Sequence, residues 1–441
     1  GGIEALVSAS RQHEQNAKVQ AGVAGALRNL SVNDEIAEEI ASAGGIEALV
    51  AASREHPENC DVQAEVAGAL WGLSVNDEVE EAISAANGVQ VLVIAAQNHL
   101  DNPKVQARVA GALRKLSAND ENKREIASCG GIQMLIHSSR RHIDNAVVQA
   151  GVAGALSNLS VDDEIEQSIA SEGGIEALIS ASNAHNSNVK VQARVVRALT
   201  NLSVHDENKE RIASREGVVT LIQASLNHVD SAEVQAGVAG ALRNLSVSPE
   251  IAKMIVDNNA ISSLVQASQM HTTNAIVQAG VAGALRNLSV NPSHRKKITD
   301  AGGLEALQLA TQIHAANEKL QKEVHGALRN LESKVLDGNS AIGNISNGSA
   351  PKAPLLANKA VMQELQQRPV EPGRNSFRKA LSGAVRAASP RGSRPSTPSR
   401  KDSVEKKEKR NKSPRSGGSS FRGFGGLSRR VSRSPSKTRN E

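Results

Sequence analysis

The sequence has very few aromatic residues. Its 441 residues include three phenylalanines, one tryptophan and no tyrosine, although 39% of the chain is hydrophobic. The core of a large globular domain normally draws on aromatic side chains. Stacked helical repeats can instead close with Ala, Leu, Ile and Val, because each unit contacts only its neighbours. The composition therefore favours a repeat protein.

Several functional classes also lack their sequence signals. The two cysteines, Cys60 and Cys129, form no motif, which favours a reducing compartment and hence a cytoplasmic or nuclear location. No segment approaches the roughly 18 consecutive apolar residues of a membrane span. There is no Walker loop, no nucleophile elbow and no paired-cysteine metal motif. We therefore predict no catalytic residue, cofactor, metal ion or small-molecule substrate, and no enzymatic activity.

What the sequence does contain is a repeat. The segment VQAGVAGALRNLSV occurs unchanged at residues 19–32, 234–247 and 277–290, and looser copies complete a series with a period of 43 residues. Apolar residues recur within each copy at helical spacing, as at Val19, Val23 and Leu27. This spacing and the many alanines predict a helix with one buried stripe.

Two further helices are predicted in each unit. One begins in GGIEAL, as at Gly44, where a glycine suits the left-handed turn that ends the preceding helix. That preceding helix is short, as in NDEIAEEIASA at 33–43, and starts with a capping residue and acids. We call the short helix the first, the GGIEAL helix the second and the VQAGVAGALRNLSV helix the third. Eight third helices but only seven first helices are present, which predicts an incomplete N-terminal unit and further repeats upstream.

A unit of 43 residues with GGIEAL in its second helix and ALRNLS closing its third resembles the armadillo repeat family over Gly1–Glu332. Within it, NDENKREIASCGG at Asn119–Gly131 is similar to the family's first-helix segment. The resemblance implies an all-α, right-handed superhelical solenoid whose third helices line a concave groove. It also implies a scaffold that holds extended segments of partner proteins in that groove.

Asparagine recurs near the end of the third helix in six of the units, a series that we call the asparagine ladder. An amide side chain can pair with the N–H and C=O groups of an extended peptide, as the matching asparagine does in importin-like members of the family. The tryptophan that accompanies it there is replaced here by glycine, or by Arg197. Arginines beside the ladder indicate an acidic ligand. The alternative is that asparagine satisfies a helix end and arginine is solvated. The predicted groove residues are Asn29, Asn158, Asn201, Asn244, Asn287, Asn330, Arg28, Trp71, Arg114, Arg197, Arg243, Arg286 and Arg329.

Histidine also recurs with the repeat, near the end of every second helix. Equivalent positions in packed helices lie about 8–10 Å apart, which is too far for two imidazoles to share a zinc ion at about 2.0–2.1 Å. We therefore interpret these histidines as structural. The residue three places later is a good N-cap for the third helix in every unit. The histidines are His13, His56, His99, His142, His185, His228, His271 and His314.

The charge of the chain is divided unequally. Residues 1–332 carry 27 Lys and Arg against 39 Asp and Glu, a net charge of −12, whereas residues 333–441 carry 24 against 7, a net charge of +17. The repeat pattern also stops at 332, so we predict a disordered basic tail over 333–441. Its predicted phosphorylation sites, which imply a protein kinase as a partner, are Ser389, Thr397, Ser413, Ser432 and Ser434. The alternative function is binding of nucleic acid or an anionic membrane through this tail.

Overall fold

The computed structural model describes residues 1–332 of the chain. These described residues form 23 helices and no strand. The second helices are Gly2–Gln12, Gly45–Glu55, Gly88–Asn98, Gly131–Arg141, Gly174–Ala184, Gly217–Asn227, Ala260–Met270 and Gly303–Ile313. The third helices are Ala17–Leu30, Cys60–Leu73, Pro103–Leu116, Ala146–Leu159, Val189–Leu202, Ala232–Leu245, Ala275–Leu288 and Glu318–Glu332. The first helices are Asp34–Ser42, Asp77–Ala85, Asp120–Ser128, Asp163–Ser171, Asp206–Ser214, Pro249–Asp257 and Pro292–Asp300. The predicted three-helix unit is confirmed.

The capping residues predicted for the third helices are confirmed in every unit. Asn16, for example, accepts hydrogen bonds from the backbone N–H groups of Lys18 and Val19. These donors have no partner inside the helix, so the cap satisfies part of its N-terminal end. The capping residues are Asn16, Asn59, Asn102, Asn145, Asn188, Ser231, Asn274 and Asn317.

The glycine pair before the second helix serves two purposes. Gly44 has φ +80°, in the left-handed region that L side chains rarely adopt. A β-carbon on Gly45 would lie 2.5 Å from Cγ2 of Ile40 and 2.7 Å from its carbonyl oxygen, so this position needs glycine for close packing. Three units place a non-glycine residue at the left-handed position: Asn87, Glu216 and Asn259.

The third helices form the centre of the stack. Each packs against the third helix of the next unit far more extensively than successive first or second helices pack against each other. Leu70 and Leu199, at the same place in their units, are fully buried between neighbours. Because the units approach most closely along their third helices, the stack curves toward that side. We call the third-helix side of the stack the groove.

A glutamine joins the second and third helices in every unit and is buried in all but the last, a feature that the sequence analysis missed. The Nε2 atom of Gln192 donates to the carbonyl oxygens of Ser182 and His185, at 2.8 and 3.0 Å, and its Oε1 atom accepts from the Ser182 hydroxyl at 2.7 Å. The bond thus satisfies carbonyls at the end of the second helix. The glutamines are Gln20, Gln63, Gln106, Gln149, Gln192, Gln235, Gln278 and Gln321.

The periodic histidines link one unit to the previous one. Nε2 of His142 lies 2.6 Å from the carbonyl oxygen of Leu100, and Nε2 of His185 lies 2.6 Å from that of Ile143. Each accepting carbonyl lies in the turn between the second and third helices of the preceding unit. The equivalent bond is present from His56 to His314. These contacts give the histidines the structural role that we predicted.

The remaining sequence predictions concern membranes and the tail. Among the described helices no single one is both long and apolar enough to cross a membrane, although the pair Asp77–Ala85 and Gly88–Asn98, bent by 67°, passes that test together by length and composition. The predicted disorder of 333–441 and the five phosphorylation sites lie outside the described residues.

Candidate binding surface

The structure shows what the asparagine ladder contacts. Nδ2 of Asn201 lies 2.9 Å from the carbonyl oxygen of Ser157 and 3.2 Å from the hydroxyl of Ser160, both at the end of the preceding third helix. The same pair of bonds is made by Asn158, Asn244, Asn287 and Asn330. Both amide protons are therefore used within the stack, as in the structural alternative raised by the sequence.

In three units the amide oxygen of the ladder asparagine has no hydrogen-bond donor among the described residues. Oδ1 of Asn158 accepts from Arg197 at 2.9 Å, but Oδ1 of Asn201, Asn244 and Asn287 accepts no hydrogen bond from any other described residue. Asn29 differs, because its Oδ1 accepts from the neighbouring Arg28. We predicted that these amides both donate to and accept from a peptide. In the structure only their oxygens are available, so they can accept hydrogen bonds from a peptide but not donate to it.

At the N-terminal end of the groove, a glutamate neutralises the arginines. The carboxylate of Glu65 pairs with Arg28, lies 2.9 Å from Arg108 and lies 3.1 Å from Lys104. Burial acts to raise the pKa of Glu65, but hydrogen bonds from Lys104 and Arg108 and the charges of Arg108 and Arg28 leave it below its usual value. This end of the groove is already occupied by an internal acid.

A second glutamate does the same near the C-terminal end. The two carboxylate oxygens of Glu323 lie 2.9 Å from Arg243 and 2.8 Å from Arg286. Arg243 and Glu323 belong to units that are two apart, so only the inner side of a curved stack allows them to meet. Arg329, in the last third helix, is exposed.

The middle of the groove has arginines without such an acid. Arg197 donates to the hydroxyl of Ser157 at 2.8 Å, and Arg194 donates to the carbonyl oxygen of Ala150 at 2.6 Å. The side chain of Arg114 is half-buried and makes no hydrogen bond or ion pair with any other described residue. Burial, and then the charge of Arg197, lowers the pKa of Arg114. The predicted arginines therefore differ in their pairing, and Arg194 was missed.

An open pocket surrounds the single tryptophan of the repeats. The pocket has a volume of about 550 Å³ and lies between the third helices that contain Arg28, Trp71 and Lys115. The half-buried indole of Trp71 covers Gly111, where a β-carbon would lie 2.8 Å from the ring. Lys115 takes the place of a ladder asparagine, and its Nζ donates to the carbonyl oxygen of Ser74 at 3.0 Å. The pocket combines an apolar wall with cationic edges.

The groove residues that we missed share one position in the third helix. Glycine occupies it in four units, and Glu65, Arg108, Arg194 and Glu323 occupy it in the others. The two glutamates at this position, Glu65 and Glu323, pair with an arginine of the preceding unit. The sequence shows these residues, but their contact depends on the distance between neighbouring units.

One group of potential metal ligands lies away from the groove, at first helices. The ligand atoms of Asp163, Glu166 and His205 lie within 4.8 Å of one another. Nε2 of His205 is 3.1 Å from the carboxylate of Glu166, whose other oxygen accepts from Asn208 at 2.8 Å. Burial raises the pKa of Glu166. The contacts of Glu166 with His205 and Asn208 explain this group, and the absence of a metal stays a prediction.

Comparisons with known proteins place this architecture in a family. A model for the GAC ARM domain matches residues 146–340, and a model for the armadillo/beta-catenin-like repeat matches residues 119–161. A search of curated protein sequences finds no match. An engineered protein solved by the Northeast Structural Genomics Consortium is 30% identical, with a TM-score of 0.58, over 75% of this chain and 89% of that one.

A chain from a structural study of the interaction between cadherin and beta-catenin is 18% identical, with a TM-score of 0.54, over 75% of this chain and 78% of that one. At that identity the similarity concerns the fold alone. The family models, the engineered relative and the three-helix unit agree, and this chain belongs to the armadillo-repeat family.

Proposed function

We propose that the chain is a protein-binding scaffold that holds an extended segment of a partner protein in its groove. The observation that carries the proposal is the inward-facing row of unsatisfied groups: the oxygens of Asn201, Asn244 and Asn287, and the unpaired Arg114. Polar groups without an internal partner are available for a ligand, whereas Arg28, Arg243 and Arg286 on the same surface are already paired with glutamates. The chain of similar fold comes from a study of the interaction between cadherin and beta-catenin, which supports a protein as the partner.

The dimensions of the groove suit an extended chain. Successive third helices lie about 10 Å apart, so the seven steps between eight helices cover about 70 Å. An extended peptide at about 3.3 Å per residue spans this length with roughly twenty residues. The open oxygens of the asparagine ladder would accept N–H groups along its backbone, whereas the pocket at Trp71 would receive an apolar side chain.

The proposal is tested by selecting binders from a displayed library of random 20-residue peptides on the full chain. We expect selected peptides to compete with one another, because they share one groove. Binding should weaken roughly tenfold in Trp71→Ala, which removes a large contact surface. The matched control is Lys253→Ala, on a first helix outside the groove, where the side chain is 77% exposed. Selected peptides whose affinity is the same for wild type, Trp71→Ala and Arg329→Ala would contradict groove binding.

A separate role of the tail is favoured by its net charge of +17 over residues 333–441. We propose that this segment binds an anionic partner, with phosphorylation at sites such as Ser389 and Ser413 reducing the affinity, since each phosphate adds about −1.5 to −2 charges. Titration with single-stranded nucleic acid and with vesicles of anionic lipid, at low and high salt, tests this role. Removal of 333–441 should abolish such binding, and binding that survives the removal would contradict it.

A further inference from the structure

The Glu65 site has a counterpart two units further along the groove in which the acid is missing. Arg114 and Arg194 stand 86 residues after Arg28 and Arg108, and are therefore their equivalents. In the first set the carboxylate of Glu65 lies between the two arginines, 2.9 Å from Arg108. In the second set the equivalent residue is Gly151. The two cationic sides of the site are retained, and no described residue supplies the anion between them.

The chain leaves little room to supply that anion from position 151. A β-carbon on Gly151 would lie 2.8 Å from Cβ of Ala110 and 3.2 Å from the carbonyl carbon of the same residue. Glycine here lets two neighbouring third helices approach closely. An acid at this place must therefore come from outside the described residues.

The arginines converge on a second glycine. The position that a β-carbon would take on Gly154 is overlapped by Cδ of Arg114 and lies 3.2 Å from Cδ of Arg194. Arg197 is one helical turn beyond Arg194 and is held by Ser157 and Asn158. We call Arg114, Arg194 and Arg197 the arginine cluster.

The positive charges of the cluster are not balanced within the described residues. Burial lowers the pKa of Arg194, followed by the charge of Arg114; Glu233 acts in the opposite direction, and Arg197 adds to the lowering. Glu233 is exposed and forms no ion pair with the cluster. Burying like charges together costs free energy. An anion placed between them would offset the repulsion and accept the hydrogen bonds that the cluster lacks.

We propose that the arginine cluster binds a carboxylate side chain, from Glu or Asp, of the extended segment that the groove holds. This inference rests on the proposed scaffold function and assigns one recognition site within it. The chain itself shows the geometry twice, at Glu65 and at Glu323, where arginines of two units hold one carboxylate at 2.8–2.9 Å. Both internal examples are glutamates, which favours a carboxylate over a phosphate as the natural occupant.

The first test needs no ligand and compares two equivalent arginines. Arg28→Gln removes a partner of Glu65 and should lower the stability of the full chain in urea. Arg114→Gln removes a repelling charge and should leave the stability unchanged or raise it. A loss of stability in Arg114→Gln as large as that in Arg28→Gln would mean that Arg114 already has an acidic partner in the chain, and would overturn the proposal.

The second test measures binding of a fluorescent 12-residue peptide of alternating Glu and Gly to the full chain at physiological salt. We expect the double variant Arg114→Gln, Arg194→Gln to bind roughly tenfold or more weakly, as is usual on loss of charge-assisted hydrogen bonds. Arg114→Lys should retain part of the affinity, and Arg28→Gln, whose site already holds Glu65, should not weaken it.

Control peptides show whether the arginine cluster binds a carboxylate or a phosphate. A Gln-Gly peptide should not bind, and replacement of Glu by phosphoserine should not improve affinity. Tighter binding of the phosphoserine peptide, with the same dependence on Arg114, would replace the carboxylate by a phosphate and overturn the assignment. Equal binding of the Glu-Gly peptide to wild type and the double variant, or no binding at all, would also overturn it. Neutral peptides selected on the groove would in those cases still support the scaffold function.

Discussion

The hydroxyl of Ser139 and the side chain of Gln149 form a reciprocal pair: Ser139 Oγ donates to Gln149 Oε1 at 2.7 Å, and Gln149 Nε2 donates back to the carbonyl oxygen of Ser139 at 2.8 Å. Both residues are buried. In one unit Ala96 stands in place of this serine, and Oε1 of Gln106 is buried there without a hydrogen-bond partner. Six units form this bond. The unit at Ala96 does not, and neither does the last unit, where Thr311 donates to the carbonyl oxygen of Leu307 instead.

Ala96→Ser should stabilise the protein, because it supplies a donor to the buried oxygen of Gln106 in a space where six sister units hold serine. We expect a gain of about 1 kcal/mol in the free energy of unfolding, measured in urea. Ser139→Ala is the matched control and should cost about 1–3 kcal/mol. A destabilised Ala96→Ser would show that this unit has no room for the hydroxyl.

Asn244→Asp should destabilise the stack. The substitution keeps the shape of the side chain, but removes the two amide protons that reach the carbonyl oxygen of Thr200 and the hydroxyl of Ser203, both at 3.1 Å. It also brings a carboxylate against that carbonyl, so we expect a cost of about 1–3 kcal/mol. Asn29→Asp serves as the control, because the amide protons of Asn29 donate to no described residue and its Oδ1 only accepts from Arg28. Equal stability of both variants would mean that the ladder contributes only to ligand binding.

Glu216→Gly should stabilise the protein by about 1 kcal/mol, because glycine adopts the left-handed conformation without strain. Glu216 has φ +61° at the end of a first helix, where four sister units have glycine. The reverse change, Gly130→Ala, should cost about the same. A β-carbon at Gly130 would meet nothing closer than 3.8 Å, so this control measures the backbone term alone. Thermal unfolding of both variants checks the signs.

Glu80→Gln should raise stability at neutral pH. Burial raises the pKa of Glu80 above 4.5, followed by the charge of Asp77, with Lys115 acting in the opposite direction. The native state therefore binds the proton more tightly than the unfolded chain does. As a result, stability falls as pH rises from the unfolded pKa through the raised native pKa. The advantage of Glu80→Gln should appear across that interval and vanish below it.

The control for this pH dependence is Glu81→Gln, at an exposed position on the same helix. Urea unfolding of both variants and wild type at several pH values from acid to neutral gives the comparison. A Glu80→Gln variant that is less stable than wild type at neutral pH would show that attraction to Lys115 outweighs the cost of burying the carboxylate.

The N-terminal helix Gly2–Gln12 should exchange its amide protons faster than the second helices of the other units. Ile3 and Leu6 in Gly2–Gln12 are only half-buried, whereas Ile46 and Leu49 at the same places in Gly45–Glu55 are 1% exposed. Less buried apolar surface lowers the free energy of local opening. Native-state hydrogen exchange should therefore show less protection in Gly2–Gln12 than in Gly45–Glu55. Equal protection would contradict this reading of the packing.

The sequence by itself determined the helices and their ends, because these depend on interactions within a few residues. The period of 43, the caps such as Asn145 and the left-handed glycines such as Gly173 could all be read from neighbouring letters. They led directly to three helices per unit and to a solenoid. The buried glutamines recur just as regularly, but a polar residue in an apolar stripe does not reveal its partner.

Tertiary structure alone decided which groove residues are paired and which are open. Arg28 and Arg114 occupy the same place in their units, yet Arg28 meets Glu65 and Arg114 meets no acid among the described residues, because the deciding residue lies 37 positions further along in the next unit. In the same way, the direction of Asn201 depends on the carbonyl that the preceding third helix presents. Helix stacking brings such distant residues within hydrogen-bond range, and local propensity carries no information about that contact.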